Sequence, residues 1–375
     1  MMARSLSKNK KRPRSVLKIM LITFLGVFLL AAGALAYMVH QLASVTSSAQ
    51  QELERGERSE LREEAVNPDI DPVSILFLGL DTRDGDLSGR TDAMVLVTFN
   101  PDEGTVKMLN IPRDSRVNIS GRYEQDKINH AHAYGGIDMT VETVEQLFDI
   151  PVDYYVSLNF DAFMEIIDDI GGITVDSPLT FTETDNATYG TLTIYEGEQE
   201  LNGEEALAYV RMRKSDPTGD LGRGERQKEV IEAVIREMAS FSTITRFNSL
   251  MDTIERNLDT NASFNDIVAM HSYASELDNI ESLNYDGIDY VEEGVYYFVP
   301  DERSITLVSQ RLQKHLGLRQ TIDSYLLEPA DTQEPTVEDI VGGQDIVEGE
   351  STEDSYVPEE TDVYEPQLDE SNGGY

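Results

Sequence analysis

From Ile19 to Val39 the chain reads IMLITFLGVFLLAAGALAYMV, without a single charge. As a helix, at about 1.5 Å per residue, such a run crosses the roughly 30 Å of hydrocarbon in a bilayer. Seven bases and no acid precede it: Arg4, Lys8, Lys10, Lys11, Arg12, Arg14 and Lys18. Basic residues hold their end of a spanning helix in the cytoplasm. The pattern therefore predicts a cytoplasmic basic segment at 1–18, a single-pass anchor at 19–39, and everything after it outside the cell. A cleaved signal peptide is the rival reading, because Ala34-Leu35-Ala36 suits a cleavage site. The apolar run continues past that site through Tyr37, Met38 and Val39, which favours an uncleaved anchor.

Beyond the anchor the charge reverses. The whole chain of 375 residues holds 70 acids against 30 Lys and Arg, a formal charge of −40. An exported part this acidic is a poor partner for nucleic acid, which needs a net basic footprint. The absence of Cys excludes disulfides, thiolate metal sites, a cysteine nucleophile and a lipoprotein anchor. Five His without HExxH or paired spacing argue against zinc.

Residues 40–71 are polar and charged and read as an extracellular stalk. From residue 72 the pattern is globular. VSILFLGL (73–80), AMVLVTF (93–99) and TVKMLNI (105–111) suit buried strands. MTVETVEQLF (139–148) and FDAFMEIIDDI have helical spacing, DYYVSLN and GGITV read as strands, and LNGEEALAYV as a short helix. GERQKEVIEAVIREMAS places Val230, Ile231, Val234, Ile235 and Met238 on one helical face. Further helices are expected near 264–275 and 302–316. The expectation is a layered α/β domain over 72–327, a central mixed or antiparallel sheet flanked by helices. From Glu328 to Tyr375 the chain has 16 acids and no base. That composition predicts a disordered acidic tail.

The bases are placed unevenly. Between Lys127 and Arg211 there is no Lys or Arg; then Arg211, Arg213, Lys214, Arg223 and Arg226 follow closely. If the first three strands run as antiparallel neighbours, Asp81, Arg83, Arg90, Asp92, Arg113 and Asp114 gather at one edge of the sheet. Arg211 and Arg213, two apart, share a face of an extended segment. Arg223 and Gln227, four apart, lean toward the domain, whereas Arg226 is expected on the surface. Arginine binds phosphate oxygens two at a time and never loses its charge. Several such forks beside carboxylates suit a diphosphate with a hard divalent cation, and hence phosphoryl transfer. Salt bridging alone explains any single pair, but not this concentration of arginine in an acidic chain. DTRDGDLSGRTD (81–92) has the length of an EF-hand loop but fails at Arg83, Gly85 and Asp86. His130 and His132 in DKINHAHAYGG are best read as locally packed, with the cleft as the alternative.

The stretches ILFLGLDTRDGDLSGRTDAMVLVTFNPDEGTVKMLNIPRDSRV, KINHAHAYGG and LNGEEALAYVRMRKSDPTGDLGRGERQKEVI resemble the LytR-CpsA-Psr family over roughly residues 72–240. The resemblance implies a phosphotransferase of a Gram-positive cell membrane. Such enzymes move teichoic acid or capsular polysaccharide from a polyprenyl diphosphate carrier onto peptidoglycan, with the lipid in an apolar tunnel of an α/β domain. It implies Asp81 and Asp92 as ligands of Mg²⁺ (Mn²⁺ as the alternative). It also implies Arg83, Arg113, Arg211, Arg213, Arg223 and Gln227 as diphosphate contacts, with Arg90 inside the motif. Arg113, Asp81 and Asp92 are the expected catalytic set. Arg113 would stabilise developing charge and is a poor general base, its pKa lying above about 12. Two other readings remain open here: a lipid-diphosphate hydrolase, and a non-enzymatic envelope regulator.

Overall fold

The apolar runs at 73–80 and 93–99 have no polar face because both sides of their sheet are covered, the usual reason a strand loses its alternation. The computed structural model describes residues 50–82, 89–184, 191–212, 216–217, 220–238, 253–254, 258–270 and 280–328, with isolated positions at 33, 36, 37, 40 and 44. The anchor (apart from three isolated positions) and the tail after 328 thus lie outside the described residues, as do Arg83 and Arg213. Among the described residues no helix is long and apolar enough to cross a membrane.

Three strands form an antiparallel meander: β1 (Val73–Leu80), β2 (Thr91–Asn100) and β3 (Thr105–Asn110). A small hairpin follows, β4 (Arg116–Asn118) with β5 (Gln125–Lys127). Helix α1 (His130–Phe148) then leads to β6 (Tyr154–Asn159), which pairs parallel to β1. Helix α2 (Phe160–Ile170) follows at once. The next segment carries β7 (Ile173–Ser177), β8 (Phe181–Thr184), β9 (Thr191–Ile194) and β10 (Gly197–Leu201), paired β7 with β10 and β8 with β9. Helices α3 (Gly203–Arg211) and α4 (Asp220–Met238) come next, then β11 (Leu258–Thr260), α5 (Phe264–Ala269) and β12 (Ile280–Leu283). A hairpin of β13 (Gly287–Glu292) and β14 (Val295–Pro300) precedes α6 (Glu302–His315) and the single turn α7 (Ser324–Leu327).

The main sheet has the order β11-β6-β1-β2-β3-β12. β12 runs parallel to β3, and β11 antiparallel to β6. The sheet is therefore mixed. Its pairing sends the C-terminal ends of β6, β1, β3 and β12 to one edge, where β2 begins.

The two sheet faces have separate cores. Leu76, Leu78, Met94, Leu96 and Leu109 pack with Ile137, Val141, Val144 and Phe148 of α1 and with Val308 and Leu312 of α6. Val73, Ile75, Val95, Val97, Phe99, Val106 and Met108 line the other face, against Ile231 of α4 and Met270. Each such side chain contributes about 1.5–3 kcal/mol by leaving water. A third cluster joins α2, α3 and α4 to β7 and β10 through Ile167, Val175, Leu201, Tyr209 and Val230.

Local signals fix the helix starts near this edge. The Asn159 side chain accepts from the Ala162 N–H to cap α2, and α2 ends at Gly171 with φ 109°. Asn202 and Glu205 form a reciprocal capping box on α3. Helix α1 begins at His130, earlier than the apolar periodicity suggests, and is interrupted at Gly135 and Gly136, the latter at φ 64°.

The packed body also begins before residue 72. Leu53 is buried in the α1-side core. Arg62 grips Asp153 through Nε and Nη2 at 3.0 and 2.6 Å, while Arg55 reaches Glu145 and, at 2.6 Å, the Val152 carbonyl. Gln50 bridges Thr260 of β11. Residues 50–71 thus form part of the fold, because Arg55 and Arg62 find fixed partners and Leu53 and Val66 pack against the cores.

Candidate active site

Asp81 leaves β1 at the edge where β2 starts. Its N–H donates to the Arg90 carbonyl at 3.2 Å, which closes the loop between the two strands. The register shifts after Gly79: Ala93 faces Gly79 and Thr91 faces Leu80, so Asp92 has no opposite number on β1. Such a bulge re-aims a side chain at the rim of a sheet. Asp81 and Asp92 therefore stand at one edge, as the strand pattern predicts, with a bulge that it does not reveal.

β3 returns to this edge and delivers Pro112–Arg116. Arg113 Nη1 donates to Asp92 Oδ1 at 2.5 Å, and its Nε lies 3.6 Å from Asp114 Oδ2. Lys127 Nζ donates to the other Asp114 oxygen at 2.7 Å. The Arg113 and Asp92 side chains keep 29% and 26% of their exposure, so the pair is open to an incoming group. The guanidinium is held between two carboxylates, pointed but not sealed.

The second set of arginines is brought to the same edge by backbone contacts. The Phe160 N–H donates to the Thr82 carbonyl at 3.4 Å, which ties the start of α2 to the residue after Asp81. Arg211, at the end of α3, lies with its guanidinium 5.0 Å from the centre of the Phe160 ring. At the start of α4, Gly224 sits so close to the end of β3 that an added Cβ would lie 2.5 Å from Asn110 Nδ2. That approach places Arg223 and Gln227, both buried, beside the edge carrying Arg113. Arg90 is exposed at the foot of β2. Two buried polar atoms at this edge, Thr91 Oγ1 and Asn159 Nδ2, have no hydrogen-bond partner among the described residues.

Arg226 corrects the sequence reading. It is only 2% exposed, not a surface residue. Its Nε donates to the Tyr209 carbonyl at 3.0 Å, Nη2 to the Met212 carbonyl and Nη1 to Asp216. It clamps the segment that carries Arg211. The missed signal is a helical stripe: Arg226, Val230 and Ala233 are spaced four and three apart, and the latter two are core residues.

The two histidines have different surroundings. His130 Nδ1 lies 2.8 Å from Asp126, which also accepts from the Tyr134 hydroxyl at 2.6 Å; this is local packing, as expected. His132 is buried, with Nδ1 2.9 Å from the Gly89 carbonyl. Burial pushes its pKa below the ordinary value, against the opposing effects of the Gly89 bond and the Asp259 charge.

Asp81 and Asp92 supply hard oxygen donors suited to Mg²⁺, which binds through one or two carboxylates, water and phosphate. Among the described residues no group of three or more His, Cys, Asp or Glu could cage a metal. A cation here would complete its shell with substrate oxygens and water.

The LytR_cpsA_psr family model matches residues 36–314. The polyisoprenyl-teichoic acid–peptidoglycan teichoic acid transferase TagU of Bacillus licheniformis is 39% identical over 313 residues, covering 83% of this chain and 98% of its own. Among solved structures, TagT bound to LIIa-WTA aligns with a TM-score of 0.62 at 42% identity, covering 72% of this chain and all of that one. The LytR-CPS2A-psr family protein YwtF (TagT) with bound octaprenyl pyrophosphate lipid aligns at 0.58 and 39% identity, with the same 72% coverage of this chain.

Proposed function

We propose a function from one premise: the chain belongs to the LytR-CpsA-Psr family. It is a phosphotransferase that attaches an anionic glycopolymer of the teichoic acid type, carried on a polyprenyl diphosphate, to peptidoglycan. The supporting relatives are a transferase named for that reaction and a structure with bound octaprenyl pyrophosphate. The observation that carries the reading in this chain is Arg113, held between Asp92 and Asp114 where the strand ends meet the arginines of α3 and α4.

The chemistry follows from that placement. A hydroxyl of peptidoglycan attacks the glycosyl-linked phosphorus, and polyprenyl phosphate leaves. Phosphoryl transfer asks a protein mainly for positioning and charge stabilisation. Arg211 and Arg223 would hold the diphosphate, joined by Gln227 and by Arg83 and Arg213 of the motif. Arg113 would neutralise charge that develops on the transferred phosphoryl group. Asp92 and Asp114 orient its guanidinium before substrate arrives. Asp81 and Asp92 would hold Mg²⁺, which supplies further charge neutralisation at the diphosphate when bound. The isoprenoid chain would enter from the α4 side, where the sheet face is apolar from Val73 to Met108. The anchor at 19–39 would hold the domain at the outer surface of the cell membrane.

The test is transfer from a defined lipid-diphosphate donor to isolated peptidoglycan. Covalent attachment that depends on Arg113 and on Mg²⁺ is expected. Release of free polymer without attachment would make the protein a hydrolase.

A further inference from the structure

On the opposite face of the sheet from α4, between the start of α1 and the outer strands β6 and β11, lies a cavity of about 440 Å³. Small-molecule sites fall in this size range, about 300–1,000 Å³. His132, Ala133, Ser157 and Asp259 line it, among others. Ser157 and Asp259 face each other across the β6–β11 pairing. The Ser157 hydroxyl is buried and has no hydrogen-bond partner among the described residues. A buried hydroxyl left unpaired is unusual unless something else occupies the site.

The lining favours one kind of ligand. A carbonyl only accepts, so His132 Nδ1 carries the proton it gives to Gly89, and Nε2 is left as an acceptor. Asp259 adds two acceptor oxygens and Ser157 a hydroxyl that serves either way. Among the described residues lining the cavity there is no Lys or Arg. A phosphate would meet the Asp259 carboxylate. A neutral ring with several hydroxyls would find acceptors and a donor.

Position assigns the ring to one substrate. Gly89, which His132 grips, is one residue from Arg90, whose carbonyl is bonded to Asp81. The cavity thus adjoins the active edge. In phosphoryl transfer the entering and leaving oxygens lie roughly in line across phosphorus. With the lipid carrier on the α4 face, the attacking hydroxyl approaches from the α1 face. We propose that this cavity receives a neutral sugar unit of the acceptor glycan. The inference rests on the transferase reading above.

Full-length protein in detergent tests it, with a soluble oligomer of neutral N-acetylhexosamines as probe. Ala133 is exposed on α1, so Ala133→Phe fills the cavity without burying a new group in the core. Ser157→Ala removes the unpaired hydroxyl with little change of shape. Both variants are expected to raise the KM for acceptor about tenfold or more, with the donor KM unchanged. Ligand-detected NMR should show the oligomer bound to the wild type without donor, and displaced in Ala133→Phe. Unchanged acceptor KM in both folded variants would overturn the assignment. A rise in donor KM alone would also overturn it, because the sugar would then belong to the donor. Oligomer binding is read without catalysis, so a failure of the transferase reading would show separately, as absent transfer by the wild type.

Discussion

The two walls of the active edge hold their arginines in opposite ways. On the strand-end wall, Arg113 shares its charge with Asp92 and Asp114 and stays partly exposed. On the helix wall, Arg226 is sunk among carbonyls and Asp216, and Arg211 rests on an aromatic ring. A partly exposed guanidinium between carboxylates can redirect its fork toward a new anion at modest cost. A buried one cannot move without leaving its partners unpaired. Arg113 is thus placed to answer to a bound anion, whereas Arg226 stays where it is and holds the segment that carries Arg211. The same residue type is poised for a ligand in one place and serves architecture in another.

The strongest challenge to this contrast is Arg226→Ala. It removes the guanidinium from the Asp216 carboxylate, 5% exposed, and from two backbone carbonyls. A loss of about 3–5 kcal/mol in folding stability is expected, read by chemical denaturation. A stability change below about 1 kcal/mol would erase the architectural role. Next comes Arg113→Ala, which should lose on the order of 10²–10³-fold in transfer rate, roughly 3–4 kcal/mol of barrier, with its melting temperature nearly unchanged. Arg113→Lys should recover only part, since an ammonium has no planar fork. Full turnover by a folded Arg113→Ala protein would move the chemistry elsewhere.

Gly224→Ala sharpens the comparison at the seam between the walls. The added methyl group must displace Asn110, at a cost of about 1–3 kcal/mol. Donor KM should rise, and Asn110→Ala in the same chain should restore much of it. Absence of that rescue would show that α4 is not registered on the end of β3. The smallest expected effect is a difference between mutants. Asp81→Ala and Asp92→Ala should each weaken the Mg²⁺ dependence of transfer, and the double variant should fall within about threefold of the worse single one. Multiplying losses in a Mg²⁺ titration would mean that the two carboxylates do not serve one ion.

The strand-end wall was legible in the sequence because apolar runs and turns set it directly. Once 73–80, 93–99 and 105–111 are strands, Asp81, Asp92 and Arg113 must meet if the strands are neighbours. The helix wall was less legible. Arg223 and Gln227 follow from helical spacing, but Arg226 looked like a surface residue because a buried arginine has no composition signal of its own. Its partners are carbonyls of Tyr209 and Met212, and carbonyls occur at every position. Residues 50–71 misled for a related reason. Dense charge reads as solvated, yet Arg55 and Arg62 find Glu145 and Asp153 about 90 residues away. The β-bulge at Asp92 and the interruption at Gly135–Gly136 depend on register and tertiary packing, which periodicity does not encode.

The order of strands also sets a timetable. The β1–β2–β3 meander is local and can form as soon as its residues are available, but β3 then waits with an open edge. Its partner is β12, and the Lys107–Glu281 pair across that joint closes a span of 174 residues. Contacts of such separation form slowly, because the entropy of closing the loop is lost before they repay it. An unpaired strand edge is also a template for association with other chains. Until residues 280–283 arrive, the chain therefore carries an open strand edge next to the ends that bear Asp81, Asp92 and Arg113.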